Sequence, residues 1–300
     1  MILLFINELT SYLKVKTTSN MIVDLNHGSK MSINIDIELT GLPCSIISID
    51  MQDQMGAHSV NIDGNLTRYR IDKTGKIINS EPYIIQKGQQ HNDHHHYPQP
   101  NIDIVKTQLQ NKEGCRFKGY FRVNKVPGNF HISSHVFGPT ISKLAQQGLL
   151  DVDVNHKIHH LSFGDLNEIQ EIKKHFTEGV LTPMNGINRI NRNHKFIYEY
   201  YIKIVPTTYK KLNGIISYVN QYNYNSNQLY VGNKYPAVYF KYEFSPVTVQ
   251  YIQYKDSFLN FFIQLCAILG GVFTVTGIID ALIHKSVVSI IKKAERGKLG

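Results

Sequence analysis

The stretch FLNFFIQLCAILGGVFTVTGIIDALI, Phe258 to Ile283, constrains this chain more than any other. It carries one formal charge, Asp280, and exceeds the roughly 20 apolar residues with which a helix crosses a bilayer. In hydrocarbon every backbone N–H and C=O needs an internal partner, so an isolated segment this apolar is predicted to be a helix. Lys285, Lys292, Lys293, Arg296 and Lys298 follow it. Positive charge gathers on the cytosolic side of a span, which places residues 284–300 in the cytosol and the chain before Phe258 in a lumen or outside the cell.

That layout decides how the net charge of +9 is read. The basic residues are scattered and densest beside the apolar segment, so the partner they suit is the anionic headgroup layer of a lipid bilayer. No recognition helix, zinc-finger spacing or basic-aromatic platform is legible, and nucleic acid is not expected as a partner. Of three cysteines, Cys266 falls inside the apolar segment. In an oxidising compartment Cys44 and Cys115 either form one disulfide or remain buried thiols, since a sequence gives no distance between them.

The chain begins with Met-Ile-Leu-Leu-Phe-Ile, too short to span a membrane and without the basic region of a signal peptide. Leu9, Tyr12 and Leu13 extend the apolar positions at helical spacing, so residues 1–13 read either as a short amphipathic helix or as the end of a first transmembrane helix. From Ser32 the period changes to two: Ile33, Ile35, Ile37 and Leu39 alternate with polar residues, which predicts a half-buried strand. Residues 44–50 read as another. Asn65-Leu66-Thr67 is a glycosylation sequon, either an acceptor on a surface loop or a chance match in an asparagine-rich chain. Residues 86–111, with Pro98, Pro100 and the group His91, His94, His95 and His96, read as a solvated loop. Structural zinc favours cysteine and histidine ligands on a fixed scaffold, so no metal and no cofactor is expected.

The block Glu113 to His135 predicts a strand with Phe117, Gly119, Phe121 and Val123 on one face, a turn at Pro127-Gly128 and a return strand from Asn129. A helix is expected near residues 141–147, and further strands over 196–205, 215–224 and 237–244. Their aromatic and β-branched composition, with no glycine-rich phosphate loop, predicts a mainly β fold: an antiparallel β-sandwich rather than βαβ units.

The segments EGCRFKGYFRVNKVPGNFH, NHKIHHLSFGD, YYIKIVPTTY, VYFKYEFSPVTVQY and CAILGGVFTVTGIIDALI together resemble the ER–Golgi intermediate compartment (ERGIC) protein family, also called the endoplasmic reticulum vesicle transporter family. The resemblance runs from about Leu3 to the last residue and comes closest to the smaller members. It implies two membrane helices flanking a β-rich lumenal domain, both ends cytosolic. The expected organisation is therefore the end of a truncated first helix at 1–13, a lumenal domain at 14–257, a transmembrane helix at 258–283 and a cytosolic tail at 284–300. It also implies a cargo receptor or receptor subunit that cycles between ER, intermediate compartment and cis-Golgi membranes in COPII- and COPI-coated vesicles. Its partners would be other family subunits in a hetero-oligomer, coat components and lumenal cargo. Arg296 and Lys298 near the end resemble a dilysine retrieval signal. The thioredoxin-fused plant relatives carry Cys-x-x-Cys; this chain carries none, so redox catalysis is not expected.

No nucleophile elbow or His-Glu-x-x-His motif appears, and no catalytic residue is assigned. His131, His135, His156, His159 and His160 fall in the family-like blocks. They read either as pH sensors for cargo binding or as ordinary hydrogen-bonded histidines. Ala267, Gly270, Gly271, Thr274 and Gly277 place small residues where membrane helices approach closely, and Asp280 should face water, headgroups or a partner. Two further readings stay open: a chaperone-like lumenal folding factor without redox activity, and a purely structural subunit of a receptor complex.

Overall fold

The computed structural model describes residues 2–23, 30–53, 63–83, 99–148, 153–177, 179–191, 196–230 and 235–296. The chain divides into two compact units. One is helical, formed by residues 1–19, 210–215 and 252–300; the other, formed by residues 20–209 and 216–251, is built on sheets.

In the helical unit α1 (Ile2–Leu13) lies against α5 (Phe258–Arg296). Tyr12 and Phe261 bring their ring centroids to 4.8 Å, and Lys16 Nζ meets Asp256 at 2.5 Å. The Ser257 hydroxyl accepts from the Asn260 amide and caps the first turn of α5. Residues 258–293 are long and apolar enough to cross a membrane, and none of the most apolar stretch is buried, as a lipid-facing helix requires. The helix runs past Ile283, where the apolar sequence stops, because residues 284–296 contain no proline or glycine before Gly297 to break it.

The other unit holds the sandwich, apart from strand ends at residues 16–19, 210 and 252–254. Its strands are β1 (Lys16–Val23), β2 (Lys30–Leu39), β3 (Ser48–Asp53), β4 (Asp63–Ile71), β5 (Ile77–Tyr83), β6 (Gly114–Asn124), β7 (Gly128–Ser133), β8 (His156–Phe163), β9 (Ile187–Arg189), β10 (Phe196–Lys210), β11 (Ile216–Tyr230), β12 (Ala237–Phe244) and β13 (Val247–Tyr254). A six-stranded sheet runs β5-β4-β6-β2-β8-β9; a seven-stranded sheet runs β1-β13-β10-β12-β7-β3, with β11 also on β10. The pairings of β2 with β6 and β8, and of β7 with β3 and β12, are antiparallel as expected. The β10–β12 pair is parallel, an exception that strand composition does not reveal.

One apolar cluster lies between the sheets. Ile33, Ile35, Ile37, Phe117 and Phe121 from the six-stranded sheet meet Ile49, Phe130, Ile132, Tyr200 and Phe240 from the other. Phe121 meets Phe130 edge-on at 5.4 Å, Phe130 stacks on Phe240 at 4.5 Å, and Phe240 stacks on Tyr200 at 5.2 Å. Fully burying each such side chain stabilises by roughly 1.5–3 kcal/mol. Gly119 takes φ +141, and a Cβ there would lie 2.0 Å from the Asn65 carbonyl oxygen, so only glycine lets β4 approach β6 this closely.

Three local expectations need correction. Strand β2 is buried on both faces, not half-buried: Asn34, Asp36 and Glu38 are covered as well. Residues 44–50 open with a short 3-10 turn, Cys44–Ile46, before β3 begins. The expected loop over 86–111 contains α2 (Ile102–Gln110), whose first turn is capped by Asn101 accepting from the Asp103 amide and whose Val105 enters the core; His91, His94, His95 and His96 lie outside the described residues. The expected helix near 141–147 is α3 (Gly138–Gln146), and α4 (Leu166–Ile172) follows an Asp165 cap.

Candidate functional site

The register of the seven-stranded sheet assembles a polar face opposite the core. Asp50 pairs with His131, His131 with Tyr239, and Tyr239 with Glu199, so four strands place these side chains in one row. The next row is Gln52, Asn129, Lys241 and Tyr201. Because side chains alternate along a strand, the intervening Ile49, Ile132, Val238 and Tyr198 point into the core.

Within that face His131 is buried and stacks on Tyr239 with centroids 4.8 Å apart. His131 Nε2 lies 3.9 Å from Asp50 Oδ2, and Asn129 Oδ1 lies 3.3 Å from its Nδ1. His135, on the 3-10 turn after β7, is 44% exposed and brings Nδ1 to 4.0 Å from the same carboxylate oxygen. Ser48 donates its hydroxyl to Asp50 Oδ2 at 2.8 Å. Between the two rows Glu199 accepts from Lys241 Nζ at 2.7 Å and from the Tyr201 hydroxyl at 2.8 Å. Burial acts to raise the Glu199 pKa, but these two hydrogen bonds outweigh it and hold the carboxyl below its ordinary range.

Along the second row is an open cleft of about 400 Å³, lined by Pro127 from the β6–β7 turn, Gly128 and Asn129 from β7, Tyr201 and Lys203 from β10, and Lys241 and Glu243 from β12. Its walls are mixed in charge, with Lys203 and Glu243 3.7 Å apart, and Tyr201 is 46% exposed. Such a surface suits a polar protein segment better than an enclosed small molecule. Three of the sequence blocks that carry the family resemblance, VPGNFH, YYIKIV and VYFKYEF, meet here.

The five singled-out histidines separate. His131 and His135 belong to this face, whereas His156, His159 and His160 lie on β8 in the other sheet. His156 Nδ1 donates to the Val154 carbonyl at 2.8 Å, so its Nε2 accepts from the Tyr200 hydroxyl at 2.7 Å. Burial pushes His156 down to about 4, so it stays neutral at near-neutral pH and leaves the pH-sensing set. Burial also lowers His160, whose Nε2 meets the Ser162 hydroxyl at 2.8 Å. His159 Nε2 reaches Glu38 at 2.8 Å.

Cys44 and Cys115 are joined by a disulfide. Asn65 is exposed, but at the start of β4 rather than in a loop. On α5 the positions Ala267, Gly270, Gly271, Thr274, Gly277 and Asp280 are exposed, and among the described residues nothing outside the helix's own backbone lies within 4 Å of a Cβ built on any of the three glycines. The half-covered positions Phe261, Leu265, Ile268 and Val272 form a separate stripe, the one that includes the contact with Tyr12. Arg296 ends α5, and Lys298 lies outside the described residues. Sequence reasoning missed Asp50, Glu199, Tyr201, Tyr239 and Lys241. The available signal was the polar parity of β3, β10 and β12, which only a register turns into a shared face.

Comparison with known proteins agrees with this architecture. Residues 81–280 match the sequence model of the endoplasmic reticulum vesicle transporter family, and residues 1–60 match that of the Endoplasmic Reticulum-Golgi Intermediate Compartment (ERGIC) family. Endoplasmic reticulum-Golgi intermediate compartment protein 1 of Danio rerio is 33% identical over 307 residues, covering 100% of this chain and 88% of that protein. The probable endoplasmic reticulum-Golgi intermediate compartment protein 3 of Dictyostelium discoideum is 29% identical over 98% of the chain and 89% of its own length. Among solved structures the crystal structure of Erv41p superposes with a TM-score of 0.52 at 22% identity, covering 78% of this chain and 99% of that one, a likeness of fold. With family matches over residues 1–60 and 81–280 and a relative aligned along the whole of this chain, the protein belongs to the endoplasmic reticulum vesicle transporter family of ERGIC proteins.

Proposed function

We propose that the chain is a non-enzymatic receptor subunit in ER–Golgi vesicle transport that takes up lumenal cargo or a partner on the polar face of its seven-stranded sheet. The observation that carries this reading is the convergence of VPGNFH, YYIKIV and VYFKYEF around the cleft lined by Asn129, Tyr201, Lys203 and Lys241. In the proposed arrangement residues 14–257 are lumenal, α5 spans the membrane from Phe258, and the basic residues after Ile283 meet cytosolic headgroups and coat components. The apolar helix α1 sits with α5 at the membrane. The exposed stripe of Ala267, Gly270, Thr274 and Gly277 receives a helix of another family subunit, with Gly271 and Asp280 at its margins. Arg296 and Lys298 serve retrieval, and the protein cycles through ER, intermediate compartment and cis-Golgi membranes.

A folding factor that exchanges disulfides is disfavoured by chemistry: Cys44 and Cys115 are bonded and both buried, out of reach of a substrate thiolate, and Cys266 lies in α5. Proximity labelling in cells separates the readings, the receptor labelling coat subunits and glycoprotein cargo and a folding factor labelling folding enzymes. With Tyr201→Ala/Lys241→Glu, cargo labelling falls and family-subunit labelling persists; unchanged cargo labelling removes the cleft from the binding face.

Histidines in the family-like blocks also suit a receptor that holds cargo at one pH and releases it at another. Cargo binding by wild type should differ between about pH 6 and 7, the range around the free histidine value, and equal binding at both pH values rejects the idea.

A further inference from the structure

We propose that Asp50, His131 and His135 form a binding site for a divalent transition-metal ion of the zinc class. One ligand atom from each of the three lies within 4.8 Å of the others. The two separations involving Asp50 Oδ2 are 3.9 Å to His131 Nε2 and 4.0 Å to His135 Nδ1. Zinc sits about 2.0–2.2 Å from nitrogen and carboxylate oxygen, so two ligands of one ion lie roughly 3–4 Å apart. Small side-chain rotations therefore close the set around an ion.

The ligands are built into the fold. Asp50 and His131 face each other directly across β3 and β7, and His135 follows on the turn that leaves β7. His131 and His135 are separated by three residues, the spacing of paired histidines in many zinc sites. Outer groups hold the ligands in place. Asn129 Oδ1 stands at 3.3 Å from His131 Nδ1, the nitrogen that does not face Asp50, and a proton held there would give Nε2 to the ion. Ser48 anchors the carboxylate, and Tyr239 fixes the plane of the His131 ring. His135 Nδ1 lies 2.5 Å from the Ser133 hydroxyl and exchanges that contact for the ion.

Ligand chemistry selects the class. Calcium and magnesium take oxygen sets, whereas two imidazoles and one carboxylate suit zinc and its neighbours. Asp50 and His131 are buried and His135 is exposed, which gives the ion an entry side and an open fourth position for water or a donor from a bound protein. The ion would also staple β3, an edge strand of the seven-stranded sheet, to β7 and the following turn.

The test uses the full chain in detergent, stripped with a chelator, in a background where His91, His94, His95 and His96 are replaced by serine to remove the competing tract. Co2+ is titrated and read by its visible d–d absorption, then displaced by Zn2+. One equivalent should bind, and His135→Ala and Asp50→Asn should each weaken Zn2+ binding by at least about tenfold, the lower range for disturbing even an outer-shell group. Because His135 is exposed, His135→Ala should keep the near-ultraviolet circular dichroism of the parent; His135→Gln serves if it does not. No Co2+ signal in the serine background, or undiminished affinity in a folded His135 variant, overturns the proposal.

Discussion

The outer faces of the two sheets carry similar residue types and resolve them differently. On the six-stranded sheet polar groups close onto one another. Arg116 grips Asp36 through two contacts at 2.5 and 2.7 Å, His159 reaches Glu38 at 2.8 Å, and Asn34 donates to the Gly164 carbonyl at 2.9 Å. Asp36 is buried under this network, and its contact raises the Arg116 pKa. On the seven-stranded sheet Glu199 is also held at two points, 2.7 and 2.8 Å, but the Asp50 carboxylate, anchored by Ser48, stands 3.9 and 4.0 Å from two imidazoles, and a cleft of about 400 Å³ opens along the neighbouring row. Short, two-point contacts lock a fold, whereas wider spacings beside a cavity leave room for something to bind. The comparison predicts that substitutions on the first face act on stability and those on the second act on binding.

The largest expected effect belongs to the six-stranded side. The Cys44–Cys115 bridge ties the turn before β3 to β6 across a separation of 71 residues. Closing a loop of that size stabilises by about 4 kcal/mol in the chain-entropy account. Cys44→Ala/Cys115→Ala should lower the denaturation midpoint accordingly, measured by urea unfolding of the purified chain. Arg116→Ala comes next, at about 3 kcal/mol, because it strands the buried Asp36 carboxylate. If Arg116→Ala instead leaves the midpoint unchanged and weakens cargo capture, the two faces have been assigned the wrong way round.

His156 sharpens the comparison through pH. Its folded value of about 4 lies below the ordinary 6.5, so the folded state binds fewer protons than the unfolded one. The stability it contributes is complete above pH 6.5 and is lost as pH falls toward 4, by roughly 3 kcal/mol over the window. Urea unfolding at pH 7 and pH 4 should show a larger loss for wild type than for His156→Asn. Parallel losses would show that other groups dominate the acid response.

The two faces were unequally legible in the sequence. The alternation of Ile33 to Leu39 and the aromatic runs announce strands, and Pro127-Gly128 announces a turn, because period and turn chemistry are local. Asp36 and Asp50 both sit at polar positions of such strands and look alike there. What separates them is register: Asp36 stands opposite Lys118 with Arg116 within reach, and Asp50 stands opposite His131. Pairing partners more than 75 residues away along the chain leave no mark in a local period. The helix over Ile102–Gln110 was hidden for another reason, since the prolines and histidines just before Asn101 outweigh its short apolar pattern.

On the open face Lys241→Ala removes a partly exposed ion pair with Glu199 and should cost about 1 kcal/mol or less. Its effect should appear in binding instead, as reduced cargo labelling at an almost unchanged denaturation midpoint. A midpoint loss as large as that of Arg116→Ala would mean that this face is a locked structural surface too.

The smallest energetic effect offers the sharpest separation of the faces. Asn65 pairs with Tyr120, and Tyr120 with Asn34, so all three share the outer face of the six-stranded sheet. If the sandwich is lumenal, a glycan on the exposed Asn65 covers that face and leaves the seven-stranded sheet bare for partners. Treating the wild-type protein from cells with a glycosidase should shift its gel mobility, and Asn65→Gln should abolish the shift while changing stability by no more than about 0.5 kcal/mol. Cargo labelling should survive the substitution, because the proposed docking surface lies on the other sheet. Loss of labelling in a stable Asn65→Gln variant would place the docking surface on the glycan side and reverse the assignment of the two faces.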